Sequence, residues 1–160
     1  MCYASGASTG VVVAGGNGRG TNITQLAGPV RVYFDSFSNS LIIANHLAHN
    51  IVRWPLGATS WILLAGDING NSGSNATTLT YPIDVTLDPM GNMYVADRLN
   101  YRIQLFLNGQ TEGITIAGVA GISGNNSILL NMPFSVELDS QLNLYVIDSS
   151  NHRVRKFLRY

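Results

Sequence analysis

The amino-acid sequence predicts an all-β fold: a β-propeller of four-stranded antiparallel blades, with three blade equivalents in this chain. Three observations carry that prediction. A block recurs three times with a period of about 51 residues, as Leu41–Trp54 (LIIANHLAHNIVRW), Met93–Phe106 (MYVADRLNYRIQLF) and Leu144–Phe157 (LYVIDSSNHRVRKF). Within each period apolar and polar residues alternate with period two, the signature of strands. The 17 Gly, with many Asn, Ser and Thr, supply the tight turns that short strands require. A fixed period of this size means stacked units, none able to bury its apolar faces alone.

Each element can be placed from a repeated proline. After Pro29, Pro82 and Pro133, the segments Val30–Asp35, Ile83–Asp88 and Phe134–Asp139 form first strands, with Val30, Val32 and Phe34 on one face, matched by Ile83, Val85 and Leu87 and by Phe134, Val136 and Leu138. A short turn follows, clearest in Asp88-Pro89-Met90-Gly91-Asn92, where Pro presets φ and Gly admits a positive φ. Second strands (Leu41–Ala44, Met93–Ala96, Leu144–Ile147) are apolar on both faces and therefore covered on both sides. A polar turn leads to third strands at Asn50–Trp54, Arg102–Leu107 and Arg153–Leu158, and fourth strands at Trp61–Ala65 and Gly113–Ala117 end in Ala-Gly.

Residues 29–66, 82–118 and 133–160 are thus blades 1, 2 and 3 of a single domain, the last lacking its outer strand. Tyr3–Gly15 aligns without gaps on Trp54–Gly66, so residues 1–15 are expected to carry, at Val11–Ala14, the outer strand of a preceding or partner blade. Closed propellers need about four to eight blades. The two open ends therefore await a second copy, giving a six-bladed ring with exchanged outer strands, or further repeats of a longer chain.

Composition excludes several classes. Nine Lys plus Arg balance nine Asp plus Glu, which removes the electrostatic basis for nucleic-acid binding. Four of the basic residues, Arg153, Arg155, Lys156 and Arg159, sit at the C-terminal end, where charge discourages edge-to-edge strand pairing. The single cysteine, Cys2, permits no internal disulfide and no cysteine metal site. No apolar run approaches the roughly 18 residues of a spanning helix, so no membrane insertion is expected, and Met1-Cys2-Tyr3-Ala4 does not open a signal peptide.

The third-strand signature Asn151-His152-Arg153-Val154, with Asn100-Tyr101-Arg102-Ile103, resembles the NHL repeat, as do Pro133 ahead of an alternating strand ending in Asp139, Leu144–Asp148 leading into the Asn-His motif, and the aromatic Phe157. The resemblance covers nearly the whole chain; the first repeat departs most, with Ala48-His49-Asn50-Ile51 and Asn45 in place of Asp. It implies a six-bladed propeller and a range of activities: substrate- and RNA-binding domains of ubiquitin ligases, a zinc-dependent lyase, hydrolase-like propellers and extracellular modules.

Asp97 and Arg102, and Asp148 and Arg153, bracket the turn between second and third strands, so each carboxylate is expected to take turn N–H groups and face the guanidinium. In the first repeat Asn45 and Asn50 replace both members together, the expected outcome for a buried pair. Asp97, Arg102, Asp148, Asn151, His152 and Arg153 are thus structural. His46, His49 and His152 lie in the turns, away from the inner strands, so no metal and no cofactor is expected. The loop from Asp67 to Gly73 lacks the Gly and Glu of a calcium loop and reads as a surface loop.

Function is sought where the repeats disagree. The polar positions of the first strands are Arg31, Asp84 and Ser135, then Tyr33, Thr86 and Glu137, expected at the mouth of the central channel. Arg31 and Asp84 either pair between adjacent blades or line a ligand site. Sequons at Asn22, Asn75 and Asn125 fall in the long loops before each Pro, as glycosylation sites of an extracellular protein would. The expectation is a non-enzymatic binding or scaffold module for a protein, peptide or glycan. The alternatives are a substrate- or RNA-binding domain of the ubiquitin-ligase type and a propeller hydrolase or lyase.

Overall fold

The computed structural model describes residues 9–159, so Cys2 and the first half of the segment 1–15 lie outside the described residues. Two four-stranded antiparallel meanders and a three-stranded one follow in chain order. Blade 1 comprises β1 (Pro29–Asp35), β2 (Ser40–Asn45), β3 (Asn50–Pro55) and β4 (Ile62–Gly66). Blade 2 comprises β5 (Pro82–Leu87), β6 (Met93–Asp97), β7 (Arg102–Phe106) and β8 (Gly113–Gly118). Blade 3 comprises β9 (Pro133–Leu138), β10 (Leu144–Asp148) and β11 (Arg153–Phe157).

The blades stack face to face, and the apolar faces of the second strands explain why. Ile42 and Ala44 of β2 meet Val85 of β5 and Met93 and Val95 of β6 between blades 1 and 2. Tyr94 and Ala96, on the other face of β6, meet Val136, Leu144 and Val146 between blades 2 and 3. Each residue pointing to the opposite side of the sheet from its neighbour is what a strand buried on both faces requires.

The alternation expected for the first strands breaks at its first residue. A bulge after Pro29, and another after Pro82, shifts the register with the second strand. Ile83 is thereby turned toward blade 3, whereas Val85 and Leu87 face blade 1. One extra residue on the bulged strand reverses the facing of whatever precedes it.

The polar turns between second and third strands contain a short 3-10 turn, at His46–Ala48, Arg98–Asn100 and Ser149–Asn151. Each is closed by a residue in the left-handed region, His49 (φ 54), Tyr101 (φ 57) and His152 (φ 53). The repeated Ala-Gly at the end of the fourth strands has a steric cause. Gly66 (φ +90) and Gly118 (φ +79) press against the backbone of the facing turn, where an added Cβ would strike the carbonyl oxygens of His49 and Tyr101.

Val11–Ala14, expected as a strand, forms none; the third strand β11, which lacks a fourth strand beside it, belongs to blade 3 at the other end of the chain. Val11 and Val12 stand exposed, while Ala14 and Leu26 rest on the Ile43, Val52, Trp54 and Trp61 cluster at the outer face of blade 1. Both ends of the stack keep apolar surface, including Val32 and Phe34 on blade 1 and Ile147 and Val154 (66% exposed) on blade 3.

Candidate functional site

The first strands converge, and the bulges aim their polar side chains at one another. Arg31 Nε lies 2.8 Å from Asp84 Oδ1, and Arg31 Nη2 lies 3.2 Å from Glu137 Oε1, which joins all three blades. Asp84 is 3% exposed and accepts from Ser135 Oγ (2.6 Å), from the Val136 N–H (3.0 Å) and from its neighbour Val85 N–H (2.9 Å). A buried carboxylate with this many donors is fully compensated. Its upper layer is open: the side chains of Arg31 and Glu137 are 42% and 58% exposed.

Of the six residues expected at the channel mouth, the fold thus joins Arg31, Asp84, Ser135 and Glu137. The pairing of Arg31 with Asp84 between adjacent blades is realised. The other two lie elsewhere: Thr86 is buried, and Tyr33 packs on the core between blades 1 and 2 and borders a cavity at the opposite end of the strands. Successive polar positions on a strand are roughly 6.6 Å apart, two residues of rise; only β9 contributes both of its positions, Ser135 to Asp84 and Glu137 to the long Arg31 side chain.

The repeat signature forms a hydrogen-bonded ion-pair network in blades 2 and 3, with one change of partner from the arrangement expected. Asp97 Oδ2 lies 2.8 Å from Arg102 Nε and accepts from Asn100 Nδ2 (2.7 Å), and Asp148 repeats this with Arg153 (2.7 Å) and Asn151 (2.9 Å). The N–H that each carboxylate takes is not in its own turn, as expected, but in the long loop arriving from the preceding blade, at Thr80 (2.7 Å) and Asn131 (2.7 Å). The turn N–H groups are already used, since His49, Tyr101 and His152 bond back within the 3-10 turns. Arg102 then donates to the carbonyls of Ser74, Asn75 and Thr78, and Arg153 to those of Asn125, Asn126 and Leu129. In blade 1, Asn45 Oδ1 keeps the loop bond to the Ala27 N–H, and its amide donates to Asn50 Oδ1 at 3.1 Å. Burial pushes the Asp97 carboxyl above its ordinary value, against the pull of the Thr80, Asn100 and Arg102 donors.

A repeated leucine went unread in the sequence. Leu79 and Leu130 are fully buried between blades, and Leu26 is their counterpart on blade 1. Each stands three residues before the repeated Pro and accepts from Gly20, Gly73 or Gly124, six residues earlier, so the recurring Gly and Leu were an available signal.

The remaining motifs are also explained locally. Asp67 Oδ1 accepts from the N–H groups of Asn69 (2.8 Å) and Asn71 (3.2 Å), closing its own loop. At the C-terminal end, Arg155 stacks over Phe157 at 4.6 Å and Lys156 reaches Asp139 at 3.6 Å, so the basic residues are engaged within blade 3. Asn22, Asn75 and Asn125 are exposed on the long loops. His46 and His49 flank the Tyr81 ring at 5.0 and 4.4 Å, and His49 Nδ1 accepts the Tyr81 N–H at 3.0 Å. Burial, then the neighbouring His46, holds His49 below the ordinary histidine value. Among the described residues no three His, Cys, Asp or Glu side chains converge as a metal site would require, and no helix is long and apolar enough to cross a membrane.

Comparisons with known proteins fit this geometry. Residues 130–157 match the family described as NHL repeat. NHL repeat-containing protein 3 of Mus musculus is 32% identical over 92 residues, 58% of this chain and 26% of that protein. Among solved structures, an auxiliary nutrient binding protein from Bacteroides thetaiotaomicron superposes with a TM-score of 0.64 at 21% identity, over 78% of this chain and 36% of that one. A catalytically inactive virginiamycin B lyase from Staphylococcus aureus, solved with quinupristin, gives 0.52 at 12% identity, over 81% and 40%. At such identities the structural likenesses speak for the fold alone. The chain spans about a quarter of the mouse protein and little more than a third of the solved nutrient-binding one.

Proposed function

The chain belongs to the NHL-repeat family, and from that premise we propose that it is a non-enzymatic binding or scaffold module which takes a protein, peptide or glycan ligand at the mouth formed by its first strands. One observation carries the reading: Arg31 and Glu137 hold exposed charged ends over a buried, fully bonded Asp84. A rigid base with open, polar upper groups is how a preorganised recognition site is built. Asp84 itself is too deeply engaged to act as a base, which favours binding over hydrolysis or lysis.

Glu137→Ala and Arg31→Ala should each weaken ligand binding in a peptide and glycan array by tenfold or more. Glu137→Ala should leave the melting temperature within a degree or two, because the side chain is exposed. Unchanged binding in both variants would remove this reading. The ring itself is also a proposal: the apolar ends of blades 1 and 3 are closed by a second copy or by further repeats of the same protein. A monomeric mass at micromolar concentration with a cooperative melt would exclude both.

A further inference from the structure

The cleft between blades 1 and 2, at the end of the strands away from Arg31, holds a charge that the fold leaves unanswered. Arg53 of β3 pairs with Ile42 on β2, which lies opposite Tyr33 on β1, so the three share the face turned to blade 2. Its Nε is buried without a hydrogen-bond partner, and among the described residues no acid lies within ion-pair reach of its guanidinium. Arg53 borders two adjoining cavities, one of about 510 Å³ between the β1–β2 and β5–β6 turns and one of about 110 Å³. A buried polar group left unpaired calls for an explanation.

The repeats differ at this position. The matching residue is Leu105 in blade 2 and Lys156 in blade 3, where the ammonium has an acid partner in Asp139 at 3.6 Å. The matching cleft toward blade 3 is lined by Leu105, Ile116, Leu144 and Phe157, with Asp88 and Arg159 beside them. Arg53 is the cation of this position that lacks an acid partner among the described residues. Two further features define the opening. Phe37 (99% exposed) and Met90 stand at the tips of the two turns that border it. Asp35 and Asp88 also line it, but their oxygens are occupied: Asp35 by the Phe37 N–H and the Ser38 hydroxyl, Asp88 by the Met90 and Asn92 N–H groups and by Asn92 Nδ2.

We infer that this cleft is a second binding site, for a peptide segment of a protein partner that carries one acidic side chain flanked by apolar residues. The carboxylate takes the fork of Arg53, the geometry in which guanidinium recognition is strongest. The apolar neighbours lie against Phe37 and Met90. Asp35 and Asp88 disfavour a second negative charge, so the site selects a single acid rather than an acidic run.

A labelled Ser-Leu-Glu-Leu-Ser peptide and its Gln counterpart test this by fluorescence anisotropy. The wild-type protein should prefer the Glu peptide at least tenfold, with a preference that falls as salt rises. Arg53→Leu, the residue type blade 2 holds there, and Arg53→Gln should abolish the preference without lowering the melting temperature. Phe37→Ala should weaken both peptides alike, and Arg31→Ala should change neither, which separates this site from the first-strand mouth. Equal or undetectable binding of the two peptides by the wild-type protein would overturn the inference. So would a preference that survives in either Arg53 variant or is lost in Arg31→Ala.

Discussion

The buried pair of blade 2 can be exchanged for the pair of blade 1, and the outcome separates mutual compensation from independent contributions. Asp97→Asn keeps the acceptor for the Thr80 N–H but turns an amide toward the guanidinium of Arg102; Arg102→Asn leaves the Asp97 charge buried with two neutral donors. Each single change removes one partner of a pair that is at most 3% exposed, and should cost about 3–5 kcal/mol. The double variant recreates the Asn45–Asn50 arrangement and loses chiefly the three carbonyl bonds that Arg102 makes to the loop. At roughly 1 kcal/mol net for each, it should cost about 2–3 kcal/mol, less than either single change or nearly equal to the milder one. Urea unfolding at constant m measures this, and the coupling should reach about 3 kcal/mol. A double variant as unstable as its two parents combined would refute the reasoning.

Three further outcomes follow from the geometry. Gly66→Ala should cost more than about 2 kcal/mol in thermal or urea melts, because a positive φ and a clash with the His49 carbonyl are both imposed; a loss below about 1 kcal/mol, the ordinary glycine-to-alanine range, would contradict it. His49 is held below its ordinary value of 6.5, so the unfolded chain binds more protons just under that pH and stability should fall as pH drops from 6.5; His49→Gln should flatten that part of the melting-temperature profile, and an unchanged profile would exclude the effect. Asp139 is lowered to about 2, first by the Asn143 side chain, so its stabilising share is present above the ordinary value of 3.8 and lost as pH falls toward 2; carboxyl NMR should show Asn143→Ala moving the titration upward.

The parts of the fold that repeat were legible because repetition marks what every blade needs. Pro29, Pro82 and Pro133 located the first strands, the double-faced apolar runs located the buried second strands, and the joint replacement of Asp and Arg by Asn45 and Asn50 revealed a pair. Bulges were hidden, since they depend on hydrogen-bond phase rather than residue type, and they decide where Ile83 points. The Arg31–Glu137 contact links residues 106 apart, a closeness set only by the convergence of three first strands. Arg53 was invisible for a plainer reason: a lone charge on a strand reads as solvent-facing until the neighbouring blade is in place.

The bonds from Arg102 and Asp97 to residues 74–80 have a bearing on how such a chain divides. A segment that follows β4 in the chain is held by the hairpin of the next blade, and Arg153 and Asp148 hold residues 125–131 in the same way. The energetic unit is therefore a loop together with all the strands of the blade after it, since the Gly113 N–H of β8 also bonds to the Ala76 carbonyl, and it does not coincide with the limits of a sheet. A blade excised at its own sheet limits would leave behind the chain that neutralises its buried pair. Recombination of blades between relatives should tolerate cuts just after the Ala-Gly of a fourth strand and fail at cuts just before the proline.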